Sequence, residues 1–152
     1  MTDFDVQIAT KVSCPSRKQI KNWIKIALDE QKKKGSLVVR IVDEEEMTTL
    51  NHQYRKKEKP TNVLSFKSQL PPDLGADVLG DIVICASVVA TESLAQKKSL
   101  EQHWAHMVVH GVLHLLGYDH ENDIDAQIME NHEIAILDKL GFPSPYREET
   151  HE

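Results

Sequence analysis

His110-Gly-Val-Leu-His114-Leu-Leu-Gly117-Tyr-Asp-His120 is the stretch around which the rest of this 152-residue chain is read. Residues four apart share a helix face, so the spacing predicts a helix carrying His110 and His114 side by side. Gly117 can take the left-handed conformation that ends a helix and reverses the chain, which brings His120 back toward the first two imidazoles. Three histidines occupy three positions of a tetrahedral zinc site and leave the fourth for water, as in catalytic rather than closed structural sites. A lone histidine on an apolar helix reads more simply as a core residue. The three together with Gly117 point to metal-assisted hydrolysis at His110, His114 and His120.

The helix that bears them is apolar around most of its circumference. Val108, Val109, Val112, Leu113 and Leu116 cover one arc, and His103, Met107, His110 and His114 form the neighbouring stripe. Such a helix belongs at the centre of a domain, with the metal at the mouth of a cleft.

Outward from it, Phe4, Val6 and Ile8 alternate with polar residues as in a half-buried strand. Ser16-Arg-Lys-Gln19 is a capping box, and Ile20, Trp23, Ile24, Ala27 and Leu28 follow with helical period as far as Gly35. Leu37 to Val42 is a β-branched run. Asp43-Glu-Glu-Glu46 opens a short helix with Met47, Leu50 and Tyr54. A third strand covers Asn62–Phe66, residues 67–77 read as an exposed loop, and a fourth strand over Val78–Cys85 is interrupted at Gly80-Asp81. Helices are predicted over 86–97, 99–116 and 123–140, the middle one opened by a second capping box at Ser99-Leu-Glu-Gln102 and the last stopped by Gly141 and Pro143. This order predicts an α+β fold, a small mixed β-sheet of about four strands packed with helices around the central metal-binding helix. Residues 1–143 read as a single domain and 144–152 as a polar, mobile tail.

Composition is that of a soluble globular protein, 40% hydrophobic and 28% charged. No apolar run is long enough for a membrane span, and the first residues lack the basic and apolar regions of a signal peptide. Cys14 and Cys85 have no CxxC partner, so a cytoplasmic protein with reduced thiols is expected. The net charge of −6 is unevenly spread: residues 1–118 carry 16 basic and 14 acidic side chains, residues 119–152 carry 2 and 10. The overall acidity therefore does not exclude a nucleic-acid partner, because the front of the molecule is free to present a basic surface.

Which bond the metal attacks depends on its neighbours. The spacing HxxxHxxGxxH is that of metzincin metalloproteases, where a glutamate after the first histidine acts as general base. Here that position is Gly111. Peptide hydrolysis needs a proton for the amine leaving group, so Gly111 weakens the protease reading. A phosphodiester has an easier leaving group and relies on positive charge in the transition state. Arg55, in the run Arg55-Lys-Lys-Glu-Lys59 before Pro60, is the best candidate for a phosphate contact because its fork donates two parallel hydrogen bonds. Taken alone, a charge run of this kind reads more simply as a solvated loop; its place just before a strand, with Pro60-Thr-Asn fixing the exit, is what suggests a rigid basic rim. Asp119 is either a partner or base at the metal or the cap of the following turn. His103 and His106 read as supporting or structural residues, His132 as partly buried core, His52 and His151 as exposed, and Cys85 as core.

These segments resemble the YbeY family, bacterial endoribonucleases of rRNA maturation. The metal stretch from His110 to His120 matches the family signature position by position. Tyr54-Arg55-Lys-Lys with Pro60-Thr-Asn-Val-Leu-Ser65-Phe66 is similar to a second block, and Leu79-Gly80-Asp81-Ile82 to a third, so the likeness covers about residues 35–142. The resemblance implies a zincin-like α+β fold, one zinc ion held by His110, His114 and His120, and single-strand-specific cleavage in rRNA processing and ribosome quality control. It assigns the functional arginine to Arg55. The substrate strand would follow the basic loop at Lys57 and the edge of the strand at Ser65. Two positions depart from the pattern: Asn62 stands where an aspartate is usual, and Lys67 where a proline is usual. The competing readings are a metzincin-like metalloprotease and a non-catalytic ribosome-associated factor whose zinc is structural.

Overall fold

The computed structural model of the chain describes residues 4–69 and 77–146. Among them are four strands, β1 (Phe4–Ile8), β2 (Ser36–Val42), β3 (Val63–Lys67) and β4 (Val78–Cys85). The helices are α1 (Arg17–Glu30), α2 (Glu44–Arg55), α3 (Ala86–Ala95), α4 (Leu100–Leu115) and α5 (Asp123–Lys139). The strands form one mixed sheet in the order β1-β2-β4-β3, parallel except for β3, which runs antiparallel to β4 and, among the described residues, has its other edge free. The expected α+β architecture is present; the last three helices end within two residues of those read from periodicity, whereas α1 stops at Glu30 rather than running to Gly35.

Period-two alternation along the strands splits the interior into two layers. Leu37, Val39, Ile41, Ile82 and Ile84 face the larger core, which α1, α4 and α5 complete with Ile20, Ile24, Trp104, Val108, Val112 and Leu137. Val42, Leu64, Val83 and Cys85 face the other way and meet Met47 of α2, with Leu50 and Phe66 packed around them. The helix α4 lies against the sheet and against α1, α3 and α5, so the centrality expected of the histidine helix is observed.

Local signals behave as the side chains dictate, with two corrections. Ser16 and Gln19 form both halves of a capping box at α1, whereas at α4 Ser99 accepts from the Gln102 N–H without the reciprocal bond. Gly80 does not interrupt β4, which runs through it to Cys85. Its φ of +144° and the Phe66 carbonyl oxygen, 2.1 Å from where a Cβ would stand, show a close approach of β3 that only glycine allows. The register shift lies on the neighbouring strand, between Ser36 and Leu37. Of the loop expected over 67–77, Lys67 belongs to β3, and 70–76 lie outside the described residues. No helix among the described residues is long and apolar enough to cross a membrane.

Candidate active site

Burial dominates α4 from His103 to Leu113, and the helix then delivers His110 and His114 to the surface at its C-terminal end. It stops at Leu116. Gly117 takes φ +107°, its N–H reaches the His114 carbonyl at 3.0 Å, and the Tyr118 N–H reaches Leu113 at 3.1 Å. Nothing crowds Gly117, so conformation rather than space requires glycine there. The reversed chain places His120 opposite the helix. One ring nitrogen from each of His110, His114 and His120 falls within 4.8 Å of the others, and the Nε2 atoms of His114 and His120 are 3.4 Å apart. Three imidazole nitrogens converging on one point fit a divalent transition metal in both donor type and spacing.

The most informative contact was not legible beforehand. Glu133, on α5, is fully buried and places Oε2 2.6 Å from Nδ1 of His110. Its Oε1 lies 3.2 Å from Nε2 of His106 and accepts a hydrogen bond from the Tyr146 hydroxyl. Burial alone raises this carboxyl, but hydrogen bonds from His106 and His110 prevail and hold it at about 2. A carboxylate at Nδ1 fixes the proton of His110 there, so Nε2 presents a lone pair to the site. Burial, then the neighbouring His110 and His120, push His114 down to about 4, which keeps it neutral and ligand-ready near neutral pH. One clue was present in the sequence: Glu133 occupies an apolar stripe of α5 between Met129 and Ile136–Leu137.

Other polar residues extend this network along α4. His103 Nε2 lies 2.8 Å from Oε1 of Glu92, which also accepts from the Asn62 amide at 3.1 Å. An aspartate at position 62 would set a second carboxylate against Glu92, so the amide complements this neighbour. Asp119 accepts from the His120 N–H at 2.7 Å, and its charge is also felt at His114. His132 is half-buried against Tyr118 and Gln31, His52 is exposed and Cys85 is buried. Tyr146, within the segment read as a tail, docks on His106 and Glu133; residues 147–152, including His151, lie outside the described residues.

The histidines open onto a cleft of about 600 Å3, walled by the free edge of β3 and by Tyr54 and Arg55 at the end of α2. Ser65 faces α4, its hydroxyl 3.4 Å from the Gly111 carbonyl. Arg55 is exposed and forms no ion pair among the described residues. The loop after it is shaped by α2 itself: Lys56 takes φ +60°, and buried Asn51 donates to the Lys59 carbonyl at 2.9 Å. Lys57 is exposed in that loop but does not line the cleft. Gly111 faces away from the cleft: a Cβ there would meet Ile82 of β4 at 2.8 Å. The position that holds a base in metzincins is here a packing contact, which removes the structural ground for a protease.

Comparison with known proteins decides the family. The family model described as endoribonuclease YbeY matches residues 5–141. The chain belongs to the YbeY family. It is similar to TM1509 from Thermotoga maritima, known from a solution structure, with 25% identity and a TM-score of 0.61 over 97% of this chain and 99% of that one. Membership in the YbeY family makes the chain a metal-dependent hydrolase that cuts RNA internally and acts in rRNA processing, which sets aside the protease and the non-catalytic factor.

Proposed function

We propose that this YbeY-family chain is a zinc-dependent, single-strand-specific endoribonuclease that acts in the cytoplasm on ribosomal RNA and in ribosome quality control. Residues 1–143 form its catalytic domain, and the polar segment 144–152 adds Tyr146 to it by docking on Glu133. The observation that carries the reading is the convergence of His110, His114 and His120 within 4.8 Å at the cleft floor.

A zinc ion held there supplies a Lewis acid and lowers the pKa of a water ligand. The chain's own residues do the rest. Glu133 holds the Nδ1 proton of His110 and so fixes the ring's orientation and tautomer. Asp119 ties the turn that carries His120 and adds negative charge beside His114. Arg55, free of any carboxylate partner among the described residues, offers its guanidinium to the scissile phosphate and neutralises the charge that develops there. Ser65 and the free edge of β3 border the strand's path, and Lys57 attracts the flanking phosphates from outside the cleft.

The test is cleavage of a structured RNA with single-stranded ends. Arg55→Ala is expected to lower kcat/KM on the order of 10²-fold with full metal content. Wild-type activity in that variant would reduce Arg55 to a solvated loop residue.

A further inference from the structure

Beyond the histidines, one feature of the cleft has no part in metal binding or charge neutralisation. Tyr54 is 58% exposed, and its ring lies 4.8 Å from that of Phe66 at a tilt of 58°. The two rings differ in how they are held. Phe66 packs on the small core under α2, whereas the Tyr54 ring lies exposed beside Phe66 and its hydroxyl has no hydrogen-bond partner among the described residues. What sets this exposed ring apart from Leu94 and Ile124, which are barer still, is its place on the wall of the histidine cleft.

Its position gives it a use. Phe66 and Leu64 face the α2 side of the sheet, while Ser65 between them faces α4 and the histidines. The Tyr54–Phe66 pair lines the histidine cleft and also a second groove across the sheet face, where Lys67 and Gln69 lie. A strand crossing the unpaired side of β3 would thus have its phosphate beside Arg55 and the histidines and its base over the exposed Tyr54 ring, with Phe66 edging it at a tilt of 58°. Lys67 adds a positive charge at this crossing, where Asp81 lies opposite Phe66 on β4.

We propose that Tyr54 and Phe66 form a base-stacking platform for one unpaired nucleobase of the substrate, next to the phosphate that is cut. This rests on the single-strand reading above and supplies a physical device for it. A base in a duplex is already stacked on both faces and paired at its edge, so it cannot be offered to the platform without unstacking. Stacking on an aromatic face tolerates every base, so the platform selects for strandedness rather than sequence.

Steady-state cleavage of short RNAs by the zinc-loaded protein tests it, with Tyr54→Ala, Tyr54→Leu and Tyr54→Trp beside wild type. Tyr54→Ala and Tyr54→Leu are expected to raise KM for single-stranded RNA about tenfold, and Tyr54→Trp to restore it. In wild type, a single abasic nucleotide beside the cut should raise KM to a similar extent; in Tyr54→Ala it should add nothing. Unchanged KM in Tyr54→Ala, rescue by leucine as complete as by tryptophan, or an undiminished abasic penalty would each overturn the platform. Wild type that cuts single strands and duplexes alike, with the Tyr54 effect intact, would overturn the single-strand reading and leave the platform standing.

Discussion

Glu133 Oε2 lies 2.6 Å from Nδ1 of His110, joining a fully buried carboxylate to one corner of the metal centre. The same side chain holds His106 and Tyr146 through its other oxygen. Orientation of the site and stability of the fold thus meet in one residue. Glu133→Gln keeps the shape but loses the charge, and is expected to weaken metal affinity about 10–100-fold. Glu133→Ala should also lower stability by about 3 kcal/mol or more, because His106, His110 and Tyr146 lose a common buried partner. Chelator competition and urea denaturation measure the two effects; equal affinity in Glu133→Gln and wild type would reduce this carboxylate to a purely structural group.

Gly111 makes a prediction of opposite character, since it touches no ligand. Alanine is the better helix former by about 1 kcal/mol, yet a Cβ at this position meets Ile82 at 2.8 Å. Gly111→Ala should therefore be destabilising by about 1–3 kcal/mol through overpacking. Ile82→Ala opens the space, so the double variant should be more stable than the two separate losses predict. Additive losses in chemical denaturation would show that the contact relaxes freely.

What was legible in the sequence follows from range. His110, His114, Gly117 and His120 act through helical period and one turn, and these local rules carry from sequence to structure unchanged. The alternation at Phe4–Ile8 and the β-branched run Leu37–Val42 likewise announce strands of the sheet. Glu133 is 23 residues from His110, and only the packing of α5 on α4 brings them together. The Asn62–Glu92–His103 link depends in the same way on three separate elements meeting. Gly80 misleads because glycine marks both a broken strand and a close backbone approach, and the nearness of Phe66 cannot be read from neighbours in sequence. Gly111 shows the converse, where a residue read as a missing base proves to be a packing contact.

Acid should loosen the metal-free protein before it protonates most carboxylates. Burial lowers His103 below its ordinary value, with Glu92 opposing, and burial with His110 and His120 lowers His114 from 6.5 to about 4. Below pH 6.5 the unfolded chain then binds protons that the folded chain refuses, so stability falls as pH drops from 6.5 toward 4. Thermal melts of the chelator-treated protein across that window should show a declining Tm, and His114→Gln should flatten part of the decline. A Tm that holds level or rises on acidification would mean that these imidazoles are protonated in the fold.

The most direct test of the central claim is the metal content of purified wild type and His114→Ala, read together with RNA cleavage in the same samples. Wild type should carry about one transition-metal ion per chain and cut single-stranded RNA. His114→Ala should lose most of the metal and the cleavage together while remaining folded. A folded His114→Ala that keeps its full metal content would contradict the assignment of His110, His114 and His120 as the metal centre.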